Sequence, residues 1–417
     1  MGDLSIVVED ESNMINLWDF GGNPAGFLAD EKGSVIRTDV SREGYRIEDL
    51  RYPGAEPGTY SKYQDEGDVL KSNALLSFRR DGNFALGLGG HYFYRESVSM
   101  FRKSEYEYPD IFVVFSKSLS SLTCVGADIR YVEYTAETDY QETDASNRSE
   151  IKYFRTRLGL ETELSPAVAL ATLLGYDRGD SEPYVRRSDY HTYWVSLQSI
   201  VEIEPKLKLG VETSLRARLI DMRLDDPGWE SYYSTSLRLR ARYDLTHRLS
   251  LGVFYSDNEF FSDRYYPVEM PGWPFSPYDL AASQVGLGAS YKLGEGSLAG
   301  IEYRFCTTSE PDGNYPETGY MRSSLHLGVE GKLTPAWFVR GGYVGIETDV
   351  NPPASSGTHD KSWENALTLG TGYQPYGWNL IVEMSYRYAF TRFEEYYTDW
   401  DVKSYRYVLS VSFKMAL

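Results

Sequence analysis

Arginines recur at alternate positions in two neighbouring segments: Arg216 and Arg218, then Arg238, Arg240 and Arg242. A spacing of two puts side chains on one face of an extended strand. A guanidinium is permanently charged and offers a planar fork of donors that suits carboxylates and phosphates. Arg155, Arg157, Arg304 and Arg340, with Arg130, Arg387 and Arg406, fall on the equivalent face of other candidate strands. Acids share that face: Glu212, Asp244 and Glu302, and also Asp128, Glu202, Glu330 and Glu383. Two readings are open. Paired with these acids, the arginines brace a wall. As a basic ladder, they guide anionic solutes or polarise a constriction. Reflecting the hairpin formed by these two segments about residue 227 sets Arg216 opposite Arg238 and Arg218 opposite Ser236, which gathers the five on one wall.

Other chemistries lack residues. The histidines, His91, His191, His247, His326 and His359, are scattered, and no HExxH, CxxCH, GxSxG or phosphate-binding loop occurs. His326 falls on the arginine-bearing face, but no nucleophile motif accompanies it. No catalytic residue, metal site or cofactor is expected. The net charge of −19 argues against nucleic acid, whose recognition needs a basic footprint. Cys124 and Cys306 are the only cysteines and fall on distant strands, so both read as free thiols.

The elements that would carry the arginines repeat. About every 40 residues, an alternating strand runs to a short turn, a second runs back, and a long acidic, aromatic loop follows. The short turns include Leu119-Ser120-Ser121, Leu164-Ser165-Pro166, Leu245-Thr246-His247 and Leu333-Thr334-Pro335. From 207 to 219, Leu207, Leu209, Val211, Leu215 and Leu219 share one face, while Lys208, Glu212, Arg216 and Arg218 share the other. From 235 to 245, Leu237, Leu239 and Tyr243 oppose Arg238, Arg240 and Arg242. Such strands exceed the usual length of roughly five or six residues, which disfavours a soluble sandwich. No stretch approaches the roughly 18 apolar residues of a membrane helix. The expected fold is all-β: a transmembrane antiparallel up-and-down β-barrel of about 18 strands, with 16 as the alternative. Its apolar face meets lipid and its charged face lines the lumen. The 36 tyrosines supply interfacial girdles. The last strand presents Tyr405, Tyr407, Leu409, Val411, Phe413 and Met415 to lipid, and this resembles the carboxy-terminal insertion signal of outer-membrane barrels.

The expected division is an amino-terminal luminal segment, 1–32, and a barrel, 33–417. Within the first, Asn13-Met14-Ile15-Asn16-Leu17-Trp18-Asp19-Phe20-Gly21-Gly22 runs into Asn23-Pro24-Ala25-Gly26. This segment resembles the amino-terminal Asn-Pro-Ala-Gly element of the FadL-like outer-membrane proteins, which include transporters of long-chain fatty acids and aromatic hydrocarbons. In that family it forms a hatch inside the barrel. The resemblance implies that Asn23, Pro24, Ala25 and Gly26 belong to a luminal plug.

Asp257 to Leu280 reads as the longest loop, and carries Phe260, Phe261, Tyr265, Tyr266, Trp273 and Phe275. It is expected to constrict the pore, to contact a ligand, or to pack on other loops. The remaining acids, among them Glu137, Asp139, Asp225, Asp226, Glu394 and Glu395, are assigned to outer loops, either as a solvated face or as a seat for divalent cations. The expected location is the bacterial outer membrane, with the export signal removed. Outer-membrane lipid, lipopolysaccharide and small solutes are the partners, and the oligomeric state is left open. Three functions compete: a channel for small, anionic solutes; a FadL-like transporter of hydrophobic molecules; and a scaffold barrel for secretion or electron-transfer partners.

Overall fold

The computed structural model describes residues 24–26, 34–53, 60–80, 83–98, 102–140, 145–182, 187–223, 228–265, 279–294, 296–310, 318–351, 360–376, 380–395 and 400–416. Eighteen strands follow a 3-10 turn at Pro24–Gly26. They are β1 (Val35–Pro53), β2 (Tyr60–Arg80), β3 (Phe84–Val98), β4 (Arg102–Ser118), β5 (Thr123–Tyr140) and β6 (Ala145–Ser165). Next come β7 (Val168–Glu182), β8 (Arg187–Glu204), β9 (Leu207–Arg223), β10 (Gly228–Asp244), β11 (Leu249–Tyr265) and β12 (Asp279–Gly294). The last six are β13 (Ser297–Glu310), β14 (Thr318–Lys332), β15 (Trp337–Asn351), β16 (Asp360–Tyr373), β17 (Leu380–Glu395) and β18 (Trp400–Ala416).

Each strand pairs antiparallel with its neighbours in sequence, and β1 also pairs with β18, from Val35 opposite Ala416 to Glu48 opposite Lys403. The sheet closes, so its strands have no free edge. A backbone in lipid must satisfy its own hydrogen bonds, and closure achieves this. The first hairpin, the least regular in sequence, is a full member of the sheet, so the strand number is eighteen rather than sixteen.

Alternation sorts the side chains as expected. On β10, Leu237 and Leu239 face outward, and on β11 so do Leu251 and Val253. On β16, Leu369 is 68% exposed, which makes sense only against lipid. Aromatic side chains mark both rims of this outer surface. Tyr243, Tyr291 and Trp337 lie toward the short turns, with Trp337 against Tyr373 at 4.6 Å. Tyr131 with Phe154, and Phe390 with Tyr405, lie higher on the outer wall. Such rings favour the headgroup level.

Two expectations need correction. The β9–β10 register is centred two residues earlier than assumed: Arg216 faces Ser234, Arg218 faces Tyr232, and Arg238 faces Glu212. The connection between these strands was centred on residue 227, but backbone pairing runs up to Met222 opposite Gly228. Strands also continue well above the apolar belt. They are 14 to 21 residues long, whereas roughly 9–11 suffice to cross a bilayer. Phe260, Phe261 and Tyr265 therefore stand on β11 rather than in a loop, and Glu137 and Asp139 stand on β5 and Glu394 and Glu395 on β17. A hairpin projecting into water needs its ladder but no apolar face, so polarity does not mark where it ends. Tyr266, Trp273, Phe275, Asp225 and Asp226 lie outside the described residues.

The outward face generates a test. Leu239→Arg places a charge near the middle of the lipid belt and should destabilise the barrel by about 2–4 kcal/mol. Urea titration of the vesicle-reconstituted protein, followed by heat-modifiable gel mobility, measures it. An unshifted midpoint would contradict the assignment of faces.

Candidate functional site

The lumen has two kinds of wall. From β4 to β7 it is dry and ion-paired. Arg157 on β6 donates from Nε to both carboxylate oxygens of Asp128 on β5, at 3.0 and 2.9 Å. Arg130 donates to Asp110 across β4–β5 at 3.0 Å, and Arg155 forks onto Asp177 of β7 at 2.9 and 3.0 Å. All six of these side chains are buried. Above them, Tyr108 and Tyr153 share a hydrogen bond of 2.9 Å. Charges withdrawn from water hold each other this tightly because an unpaired one would be strongly destabilising.

Bracing describes much of the remaining set. Arg304 on β13 is bonded to the wholly buried Glu302. Arg340 on β15 lies between Glu330 (2.5 Å) and Glu383 (3.3 Å). Arg242 donates to Asp244 at 3.1 Å, and Arg387 pairs with Glu364 at 3.3 Å. Arg238 is held more loosely, 3.5 Å from Glu212.

The wall formed by β8 to β11 differs. Arg216 makes no hydrogen bond or ion pair with any described residue, and its side chain is exposed to the lumen. Arg218 lies over the Tyr190 ring at 4.5 Å, and its buried Nε has no hydrogen-bond partner among the described residues. Arg240 lies 6.0 Å from the centre of the Phe254 ring. The five arginines thus share one wall, as expected, although not by the expected register. Arg155, Trp194, Arg216, Arg238, Asn258 and Phe260 line a cavity of about 450 Å³ there, together with the hydroxyls of Ser214, Ser234 and Ser236. It is within the size range of small-molecule sites. Guanidiniums and hydroxyls on one concave surface can hold an anion; the indole and phenyl rings can hold apolar surface.

The amino-terminal turn sits on the dry wall. Pro24 and Ala25 are buried, and Ser116 of β4 donates its hydroxyl to the Ala25 carbonyl at 2.8 Å. Gly126 of β5 makes room for it: a Cβ there would lie 2.2 Å from the Pro24 carbonyl carbon and oxygen. Asn23 lies outside the described residues. Beside this seat the lumen face is apolar, with Leu75, Ala85, Phe112 and Val114 packed together and buried.

Several of these residues carried no clear sequence signal. Val113 and Val114 belong to the continuous apolar run Ile111–Phe115, so alternation could not assign one half of it to the lumen. Asp110 and Asp177 stand in no recognisable motif. Trp194 opposes Arg216 across β8–β9, a pairing that needs the register. His326 shares a hydrogen bond of 3.0 Å with Ser324, a hydroxyl the sequence reading passed over. Glu302 faces His326 from β13, but Arg304 engages that carboxylate.

No family model matches the chain, and no curated protein matches it. Solved structures do. The chain is similar to the copper transporter OprC, with 10% identity over 92% of this chain and 81% of that one, at a TM-score of 0.54. It is similar to the ferric-catecholate import receptor Fiu of E. coli K12 in its open form, with 9% identity, 92% and 82% coverage, and a TM-score of 0.52. A FadL homologue of Pseudomonas aeruginosa also matches, with 11% identity, 95% and 93% coverage, and a TM-score of 0.37. What OprC and Fiu share with this chain is the fold, a closed β-barrel of the outer-membrane kind.

Proposed function

We propose that the chain is a channel of the bacterial outer membrane that passes small anionic solutes along the β8–β11 wall. The observation that carries this reading is Arg216. Elsewhere in the lumen most arginines are held by carboxylates, whereas this one faces open space beside Arg218 and Arg238. A partly desolvated wall of one sign concentrates counter-ions and lowers their barrier to passage. The Pro24–Gly26 turn, seated on β4 and β5, narrows the lumen from the adjacent, dry side.

A second reading draws on a different observation. The apolar lumen patch of Leu75, Ala85, Phe112 and Val114 beside the amino-terminal turn would suit a hydrophobic solute, as a FadL-like transporter needs. The patch is buried, so such a route requires the lumen beside it to open.

Conductance in planar bilayers under a salt gradient separates these readings. A channel of the proposed kind is anion-selective, and replacing Arg216 and Arg218 with Gln should lower its anion-to-cation permeability ratio by about threefold to tenfold. An unchanged reversal potential would remove the arginine wall from the mechanism. Gly126→Leu should unseat Pro24–Gly26 and raise the single-channel conductance. If heat-modifiable mobility shows a folded barrel and the conductance is unaltered, residues 1–32 are not the constriction. Saturable binding of a fluorescent fatty acid, with no conductance, would favour the hydrophobic route.

A further inference from the structure

The cavity on the β8–β11 wall has a charge and a shape that specify more than an anion. Trp194 lies flat on Gly175 of β7, where a Cβ would come within 2.0 Å of the indole, so glycine alone lets the ring lie back against the wall. Arg155 sits over that ring at 5.0 Å, and Asp177 takes both prongs of its fork. Its charge is therefore spent on the wall. Arg238 is likewise shared with Glu212 at 3.5 Å. Arg216, directly across from Trp194 in register, is the cation of this cavity with no carboxylate on it among the described residues. Glu259 also borders the cavity, but on β11 it shares the parity of the outward Leu251 and Val253, so one positive charge remains on the lumen face to match a single negative one. Ser214 and Ser236 bond to each other at 2.6 Å and present hydroxyls beside it. Phe260, tilted against Tyr232 with ring centres 5.6 Å apart, adds a second aromatic surface to the same cavity.

Resting on the anion-channel reading and deepening it, we propose that this cavity is a binding site for small aromatic monocarboxylates. The carboxylate sits on the Arg216 fork, helped by the serine hydroxyls, and the ring packs against Trp194 and Phe260. A cavity of about 450 Å³ accommodates one substituted benzene ring. A dianion would leave a charge unmatched, a neutral sugar would leave Arg216 without an acceptor, and a short aliphatic acid would leave the aromatic surface wet.

Isothermal titration calorimetry of the detergent-solubilised full chain with benzoate tests the site without requiring an open channel. Saturable one-site binding is expected, with acetate and benzamide each weaker by about tenfold or more. Arg216→Gln and Trp194→Leu should each weaken benzoate by about tenfold, while Arg216→Lys retains part of the affinity. Heat-modifiable mobility confirms that each variant is a folded barrel, and Arg387→Gln, outside the cavity, is the control. Acetate binding as tightly as benzoate, no saturable benzoate binding, or an Arg216→Gln variant that binds normally would overturn the proposal. Benzoate binding to a barrel that conducts no ions would keep the site and overturn the channel reading. An anion-selective barrel that ignores benzoate would do the reverse.

Discussion

The hydrogen-bonded seam between β1 and β18 is the constraint on which the rest depends. Hydrocarbon offers no partner to a backbone amide or carbonyl, so a sheet survives there only without edges. Once β1 and β18 close, the ladder is complete and only every second side chain must suit lipid. The other half of the sequence is released. That is how a chain with a net charge of −19 can be a membrane barrel. The outward positions are narrow in chemistry, with Leu, Val and aromatic residues. The inward ones carry arginine, aspartate, glycine and serine within the same few residues.

Inside the barrel a second constraint takes over, because the lumen is part interior and part solvent. Where the amino-terminal turn covers the wall, charges lose water and must find each other. Asp128 with Arg157, Asp110 with Arg130 and Asp177 with Arg155 form buried pairs, two of them with several bonds. A buried pair adds little net stability over apolar packing, but breaking one is strongly unfavourable. These pairs therefore hold side chains in defined places more than they strengthen the barrel. One consequence reaches the neighbouring wall: Asp177 fixes Arg155, and Arg155 in turn lies over Trp194. The ring that borders the β8–β11 cavity is positioned from the dry side.

The fold was legible because its code is local. Alternation, short turns and strand length each act within a dozen residues, and together they gave the barrel, its two faces and both rims of aromatic side chains. The hairpin centre was not legible to the residue. The segment between the two arginine-bearing strands holds Asp225-Asp226-Pro227-Gly228, and centring the hairpin on residue 227 set the register two residues late, with Arg216 against Arg238 instead of Ser234. The same cause extended the loop at Asp257 into what is β11, since aromatic residues above the membrane serve strand pairing as well as they serve a loop. The arginines of the lumen were identifiable from parity, but their partners were not. Which guanidinium is neutralised depends largely on the residue set opposite it by the register. Arg157 meets Asp128 and Arg340 meets Glu330, while Arg216 stands between Trp194 and Ser234 and pairs with no acid among the described residues.

That difference between paired and unpaired arginines follows from where glycine falls. Gly126 on β5 gives the amino-terminal turn its seat, and by admitting the turn it dries the surrounding wall. Gly175 on β7 lets Trp194 lie back and leaves open volume beside Arg216. One glycine brings backbone in to fill the lumen; the other moves a large ring aside to keep it open. A lumen built this way is asymmetric, with a packed, charge-balanced flank and a hollow, positively charged one. Passage of an anion would then be confined to the hollow flank, where a solute meets arginines in succession without displacing any buried pair. The amino-terminal turn could shift on its seat without disturbing Arg216, because its polar anchor is Ser116 on β4 and the basic wall begins at β8. Control of the opening and recognition of the solute would therefore reside on different strands, so each can vary in sequence without altering the other.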